Sequence, residues 1–168
     1  MSHKWKFTAI IAVQVAALIL MIGYKQYALT EGKMVLLKAL PVDPRSLMSG
    51  DYVALRYEIS SLDAPFTRPG ATVYALVRPG AEGLYNPAGF SWTSPAQSGD
   101  IVALKGKVVM AWGQPVARYG IETFYVPEGR GREIERKTRE GSVIAVVRVL
   151  PDGAASLEGL RVDGKPFK

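Results

Sequence analysis

One stretch of the chain, residues 7–24, is apolar without a charged side chain, and its most polar residues are Thr8 and Gln14. A helix over this stretch has no polar face, unlike the surface helices of soluble proteins. At 1.5 Å per residue it covers about 27 Å, close to the ~30 Å hydrocarbon core of a bilayer. The pattern therefore predicts a transmembrane helix over residues 7–26.

The surroundings of this span favour an uncleaved signal anchor. The stretch is longer than the apolar region of a secretory signal, about 7–15 residues, and no pair of small residues follows it as a cleavage site. A short basic tail, residues 1–6, precedes it, although lysines also lie beyond the span and make the charge asymmetry weak. We predict a cytoplasmic tail over residues 1–6, a linker over residues 27–33 and an extracytoplasmic domain over residues 34–168.

The rest of the chain consists of short apolar runs broken by Pro and Gly, a pattern typical of β-strands. The predicted strands cover residues 34–40, 52–59, 72–78, 101–110, 116–126, 142–150 and 154–162. Pro151-Asp152-Gly153 predicts a hairpin turn, and the charged segment 130–140, bounded by glycines, predicts one short helix. The expected fold is mainly β, a sandwich or partly open barrel of about seven strands with one short helix.

The composition excludes several kinds of active site. The chain has no cysteine, and its one histidine, His3, lies in the N-terminal tail. Thiol nucleophiles, disulfides, cysteine-ligated zinc and Ser-His-Asp triads are thereby excluded, and we predict no cofactor and no metal. The formal net charge of +6 falls to +3 without Lys4, Lys6 and Lys25, which flank the span. Such a mild excess does not indicate nucleic-acid binding.

Two kinds of hydrolytic site remain as alternatives. Glu122 and Glu128 form a candidate carboxylate pair for acid–base chemistry, although Glu128 also suits the N-terminus of the predicted helix. Residues 44–57 resemble the Ser-Met-x-Pro-Thr-Leu-x-x-Gly-Asp-x-Val segment of signal peptidases, but Val42 stands where the nucleophilic serine would be. A Ser/Lys hydrolase would need other residues, for which the candidates are Ser46, Ser49, Ser60, Ser61, Lys105 and Lys107.

The segment Gly129-Arg130-Gly131 offers a third kind of site. Backbone N–H groups of such a turn, together with arginine side chains, bind anions. Further arginines that would contribute to a site for an anionic envelope component are Arg118, Arg132 and Arg136. The alternative is a tight strand-to-helix turn with no ligand.

Two sequence blocks carry a family resemblance. Gly50-Asp51-Tyr52-x-x-Leu55-x-Tyr57 resembles the signature after which the bacterial GDYXXLXY protein family is named. Tyr119-Gly-Ile-Glu122 with Val126-Pro-Glu-Gly129 is similar to that family's second block. The resemblance implies a membrane-anchored protein of the bacterial inner membrane, often encoded beside multi-spanning membrane proteins, and it supplies no catalytic residue.

Strand periodicity places the signature residues on two faces. Leu55 and Tyr57 share one face and are expected in the core, whereas Tyr52 and Arg56 lie on the other and are the expected exposed pair for a partner. Together with the segments above, this gives the candidate binding residues Gly50, Asp51, Tyr52, Arg56, Arg118, Tyr119, Glu122, Glu128 and Arg130.

We therefore expect a non-catalytic, membrane-anchored periplasmic domain that acts as an accessory or partner-binding subunit of a polytopic inner-membrane protein. The alternatives are an envelope hydrolase that uses carboxylates or Ser/Lys, and a binding module for an anionic envelope ligand. No nucleic-acid partner is expected, and the sequence identifies no small-molecule ligand.

Overall fold

The structure is a computed structural model that describes residues 4–41, 52–62, 68–95, 99–111, 113–127 and 129–167. It divides into two compact units, Met1–Gly32 and Lys33–Lys168. Among the described residues, the first unit contains one helix, and the strands lie in the second.

The first unit is formed by helix α1, Lys4–Glu31. Its segment Trp5–Tyr24 has a mean hydropathy of 2.2 and is not buried against other parts of its unit. The helix is therefore long and apolar enough to span a membrane, as the sequence predicts. It extends further than predicted, because no glycine or proline interrupts the chain between Gly23 and Gly32. The predicted linker, residues 27–33, is consequently helical as far as Glu31.

The second unit is mainly β, with a curled half-barrel sheet. Its described elements, in chain order, are β1 (Lys33–Leu40), β2 (Tyr52–Ala54), β3 (Arg56–Tyr57), β4 (Thr72–Pro79), β5 (Tyr85–Ser91), β6 (Val102–Ala111), β7 (Gln114–Arg118), β8 (Thr123–Tyr125), helix α2 (Gly131–Arg139), β9 (Val143–Val149), β10 (Ala155–Val162) and β11 (Lys165–Pro166). Short 3-10 turns occupy Glu58–Ser60 and Ala81–Gly83.

The described strands form three antiparallel groups. A five-stranded sheet has the order β11-β10-β9-β1-β3, a four-stranded sheet has the order β5-β4-β6-β7, and β2 and β8 form a two-stranded ribbon. Isolated bridges join Leu36 to Leu84 and Ser61 to Val116, so the five-stranded sheet is linked to the four-stranded one.

The core follows the period of two that the sequence shows. In β9 the residues Val143, Ala145, Val147 and Val149 are buried, and the residues between them are partly exposed. Helix α2 covers one part of the core with Ile134, which is fully buried. Each buried Val, Leu or Ile stabilises the fold by roughly 1.5–3 kcal/mol through removal of apolar surface from water.

The described strands number eleven rather than about seven. Two predicted strands are each divided, because Leu55 separates β2 from β3 and a turn at residues 119–122 separates β7 from β8. Strand β5 was not predicted, because Asn86, Pro87 and Gly89 are poor strand formers. They are accommodated at a sheet edge, where a register shift opposite Leu76 and Val77 leaves Ala88 unpaired.

Two local predictions are confirmed. Helix α2 lies within the predicted segment 130–140. The hairpin between β9 and β10 turns at Pro151-Asp152-Gly153, where Gly153 has a φ of +86°. The carboxylate of Asp152 accepts a hydrogen bond from the N–H of Ala154 at 3.0 Å, which stabilises the turn.

Candidate functional site

The ribbon of β2 and β8 presents one face to solvent and one to the core. Tyr52 and Arg56 are exposed, whereas Leu55 and Tyr57 are buried, which confirms the division expected from the alternation. On the outer face Tyr52 lies opposite Tyr125 in the strand register. Their rings meet edge to face, with centroids 6.3 Å apart and an interplanar angle of 64°. Tyr125 is 75% exposed and Tyr52 is 38% exposed, so this tyrosine pair stands largely in solvent.

Behind the ribbon, residues 119–122 form the turn that connects β7 to β8. Gly120 has a φ of +80°, in the left-handed region that favours glycine. The carboxylate of Glu122 closes the turn, because its Oε1 accepts the N–H of Tyr119 at 2.6 Å and its Oε2 accepts the N–H of Gly120 at 3.0 Å. Both oxygens of the predicted acid–base residue are therefore engaged by the backbone, and Glu122 supports the turn.

Two buried tyrosines connect this turn to the segment after β2. The hydroxyl of Tyr57 donates to the carbonyl of Ile121 at 2.7 Å, and the hydroxyl of Tyr119 donates to the carbonyl of Ile59 at 2.6 Å. Burial raises the pKa of both phenols, and the negative charge of Glu122 raises each pKa further. The phenols consequently stay protonated, and remain hydrogen-bond donors, to a higher pH than an exposed tyrosine does. Tyr119, a predicted binding residue, lies in the core.

A cavity of about 330 Å³ opens beside the outer face of the ribbon. We call it the Arg56–Arg118 cavity. Its apolar lining consists of Ala54, Leu55, Ala111, Val116 and Ala117, and its polar lining consists of Arg56, Ser60, Arg118, Glu122 and Thr123. The volume lies at the lower end of the range of about 300–1,000 Å³ found for ligand pockets.

The two arginines of this cavity have few partners. Arg56 donates from its guanidinium to Oγ of Ser61 at 3.1 Å. In the part of the chain that the structure describes, neither Arg56 nor Arg118 forms an ion pair with a carboxylate. The one carboxylate in the lining, that of Glu122, is held by the backbone N–H groups of its turn. The cavity therefore combines apolar lining residues, which we call its floor, with two exposed arginines, which we call its rim.

The serines that were candidates for a Ser/Lys site have structural partners. Ser60 is buried, and its Oγ accepts the N–H of Tyr57 at 3.3 Å, which caps the 3-10 turn. Ser61 accepts the hydrogen bond from Arg56. Ser46 and Ser49 lie outside the described residues.

The start of helix α2 holds the predicted anion-binding arginine in other contacts. Nε of Arg130 lies 2.8 Å from Oε2 of Glu133. The guanidinium carbon of Arg130 also lies 4.7 Å from the centre of the Phe167 ring, which is a cation–π distance. Arg130 is thus already paired with a carboxylate and an aromatic ring, unlike Arg118.

The sequence match covers most of these elements. The model of the GDYXXLXY protein family matches residues 14–160. The chain belongs to the GDYXXLXY family. No curated protein and no solved structure matches it. The family expected from the two sequence blocks is therefore confirmed, and the match contains both the signature segment and the turn at residues 119–122.

Not all of the signature positions of this GDYXXLXY protein are described. Gly50, Asp51 and Glu128, which were predicted site residues, lie outside the described residues. Within those that are described, no group of three or more His, Asp or Glu side chains lies together as a metal site.

Two residues beside the family signature were not predicted as binding residues. The ring of Tyr125 meets that of Tyr52 edge to face, and Lys107 lies opposite Arg118 in the strand register. The sequence indicates Lys107 only as a candidate hydrolytic base. Its place beside Arg118 depends on the pairing of β6 with β7. The only indication of this pairing in the sequence is the alternation of polar and apolar residues along each strand.

Proposed function

We propose that this GDYXXLXY protein is a single-pass protein of the bacterial inner membrane. In this proposal its β domain lies outside the cytoplasm and binds a polytopic membrane protein without catalysing a reaction. The partner is expected to meet the chain at two places, within the membrane and at the tyrosine pair.

The observation that carries the proposal is the position of Gln14 in helix α1. Gln14 is an exposed amide near the middle of the segment Trp5–Tyr24. Its neighbours on the same side of the helix, three and four residues away, are the apolar residues Ile10, Ile11, Ala17 and Leu18. In lipid, an amide without a hydrogen-bonding partner is costly, so polar residues within spans usually face another protein segment.

The strength of such a contact indicates that the β domain contributes as well. A hydrogen bond between membrane helices contributes about 0.6–2 kcal/mol, which is too little for a stable complex. Tyrosine and arginine are the residue types most often found at the energetic centres of protein interfaces. The exposed tyrosine pair of Tyr52 and Tyr125 and the nearby Arg56 therefore form the favoured contact surface of the domain.

Co-purification of the full-length protein from bacterial membranes in mild detergent, followed by mass spectrometry, tests this proposal. We expect one polytopic protein whose recovery falls in Gln14→Leu and in the double variant Tyr52→Ala, Tyr125→Ala. Phe90→Ala is the matched control, because Phe90 is also 38% exposed but lies in β5. Recovery of the chain alone, or only with a second copy of itself, would contradict the proposal. Equal recovery of the partner with all variants would contradict the proposed contacts.

The orientation has its own test, because the chain contains no cysteine. A single cysteine at Ser156, which is exposed in β10, should react with a membrane-impermeant maleimide in spheroplasts. A single cysteine at Ser2 should react only after the membrane has been disrupted. The opposite labelling pattern would place the β domain in the cytoplasm.

A further inference from the structure

Two cationic side chains line the Arg56–Arg118 cavity, and a third lies opposite one of them in the strand register. Arg56 and Arg118 line it. Lys107 is paired with Arg118 across β6 and β7, so both side chains project from the same face of the sheet. Both are exposed. Directly opposite residues of an antiparallel pair have Cβ atoms about 4.5–5.5 Å apart, and like charges at this distance destabilise the sheet.

No side chain within the described ranges neutralises this cluster. None of the ion pairs formed there includes Arg56, Lys107 or Arg118. Glu122 contributes the only carboxylate among the described lining residues, and its two oxygens accept backbone N–H groups. Among the lining residues, Arg56 and Arg118 against Glu122 leave an excess of one positive charge. Lys107, which is exposed opposite Arg118 in the strand register, adds a second positive charge next to the cavity.

The floor of the cavity differs from its rim. Leu55 and Ala117 are buried side chains of the core, and Val116 and Ala111 are partly exposed. A fully hydrated inorganic anion would leave these apolar groups without contacts. An organic anion with a short apolar body would cover them and place its charge at the rim.

We propose that the Arg56–Arg118 cavity binds a phosphate monoester that carries an apolar group. A phosphate monoester has a charge of about −1.5 to −2 at pH 7, which matches the excess positive charge. Guanidinium groups bind phosphate oxygens through paired hydrogen bonds. The small volume suits either a compact soluble ester or the head of a lipid with a monoester phosphate. The proposal does not depend on the membrane partner.

Binding of n-butyl phosphate to the full-length protein in phosphatidylcholine nanodiscs, measured by titration calorimetry, tests this site. We expect n-butyl phosphate to bind at least tenfold more tightly than inorganic phosphate, because only the ester covers the apolar floor. Affinity should fall at least tenfold in Arg118→Gln and in Arg56→Gln, and it should fall with added salt because exposed charges are screened. Arg132→Gln is the matched control, since Arg132 is an exposed arginine of α2 outside the cavity.

Lys107→Gln provides a second readout that does not depend on a loss of folding. This change should raise the melting temperature of the ligand-free protein, because it removes the like charge opposite Arg118, and it should also weaken n-butyl phosphate binding. A merely structural lysine would not move the two quantities in these opposite directions. Nanodiscs that contain phosphatidic acid separate the two sources of ligand. If phosphatidic acid in the nanodisc competes with n-butyl phosphate, the ligand is a lipid. If it does not compete, the ligand is a soluble ester.

Three results would overturn the proposal. One is the absence of n-butyl phosphate binding in nanodiscs both with and without phosphatidic acid, together with an unchanged melting temperature of the ligand-free Lys107→Gln variant. Another is equal affinity for n-butyl phosphate and inorganic phosphate, which would remove the apolar part of the site. The third is unchanged affinity in Arg56→Gln and Arg118→Gln, or an equal loss in Arg132→Gln.

Discussion

Tyr57 and Tyr119 each donate a hydrogen bond to the carbonyl two residues beyond the other tyrosine. The hydroxyl of Tyr57 reaches Ile121 at 2.7 Å, and that of Tyr119 reaches Ile59 at 2.6 Å. A backbone bond of 2.8 Å from Leu55 to Glu122 lies beside them. Three hydrogen bonds thus join two segments that lie sixty or more residues apart in the chain, and these segments carry the two sequence blocks of the family. Tyr57 and Tyr119 therefore have a structural role that needs no ligand.

This reciprocal arrangement predicts coupled losses of stability. Tyr57→Phe and Tyr119→Phe each remove a buried donor and leave a carbonyl without its partner, which costs about 1–3 kcal/mol in the free energy of unfolding. Because both bonds join the same segments, the double variant should differ from the sum of the single variants by about 0.5–3 kcal/mol. Denaturant unfolding of the full-length protein in detergent measures these quantities.

Tyr125→Phe is the control for this cycle, because Tyr125 is largely exposed. Its effect should stay within about 0.5 kcal/mol, as for most surface substitutions. If the loss of unfolding free energy in the double variant equals the sum of the losses in Tyr57→Phe and Tyr119→Phe, the two hydrogen bonds act independently.

The same tyrosines predict a loss of stability in alkaline solution. Burial, and secondarily Glu122, raises the pKa of Tyr57 and Tyr119 above the ordinary value of 10.0. The unfolded chain therefore releases these protons at a lower pH than the folded chain does. The stabilisation is fully present below about pH 10 and declines as the pH rises further towards the folded pKa values.

Unfolding free energies at pH 8 and at several values above pH 10 check this dependence. The decline per pH unit should be shallower in Tyr57→Phe and Tyr119→Phe, since each variant lacks one of the two groups. An unchanged slope in both variants would assign the alkaline loss to other residues.

The sequence predicts those parts of this structure that depend on local periodicity. The outward positions of Tyr52 and Arg56 and the inward positions of Leu55 and Tyr57 follow from strand alternation alone. Helix α2 and the turn at Gly153 follow from local residue preferences as well.

The candidate site depends on long-range register and was predicted only in part. The edge-to-face contact of Tyr125 with Tyr52 requires the pairing of β8 with β2. The position of Lys107 opposite Arg118 requires the pairing of β7 with β6. Glu122 is polar by sequence, but its engagement by two N–H groups follows from the turn that Gly120 permits. Such contacts depend on which strands pair and in which register, and the periodicity of a single sequence does not determine either.

A close approach in β6 predicts that Gly106→Ala is destabilising. A Cβ atom at Gly106 would lie 2.8 Å from two ring carbons of Tyr119 and 2.9 Å from the carbonyl oxygen of Arg118. The ring of Tyr119 cannot move freely, because its hydroxyl donates a hydrogen bond to the carbonyl of Ile59. We expect a loss of about 1–3 kcal/mol, as for overpacked cores. Gly159→Ala in β10 is the matched control, because a Cβ there meets no atom within 4 Å. Equal stability of the two variants would show that Tyr119 has room to shift.

The turn at residues 119–122 predicts that the carboxylate of Glu122 is needed for stability. Glu122→Gln replaces one acceptor oxygen by an NH₂ group that faces a backbone donor, so one of the N–H groups of Tyr119 and Gly120 loses its partner. Hydrogen bonds to a charged acceptor contribute about 1.5–3 kcal/mol, and we expect a loss of this size in denaturant unfolding. Glu135→Gln removes the same charge from α2 and should change stability by less than about 0.5 kcal/mol. If Glu122→Gln instead has the same free energy of unfolding as the unmodified protein, the carboxylate does not support the turn. Its role in acid–base chemistry then has to be reconsidered.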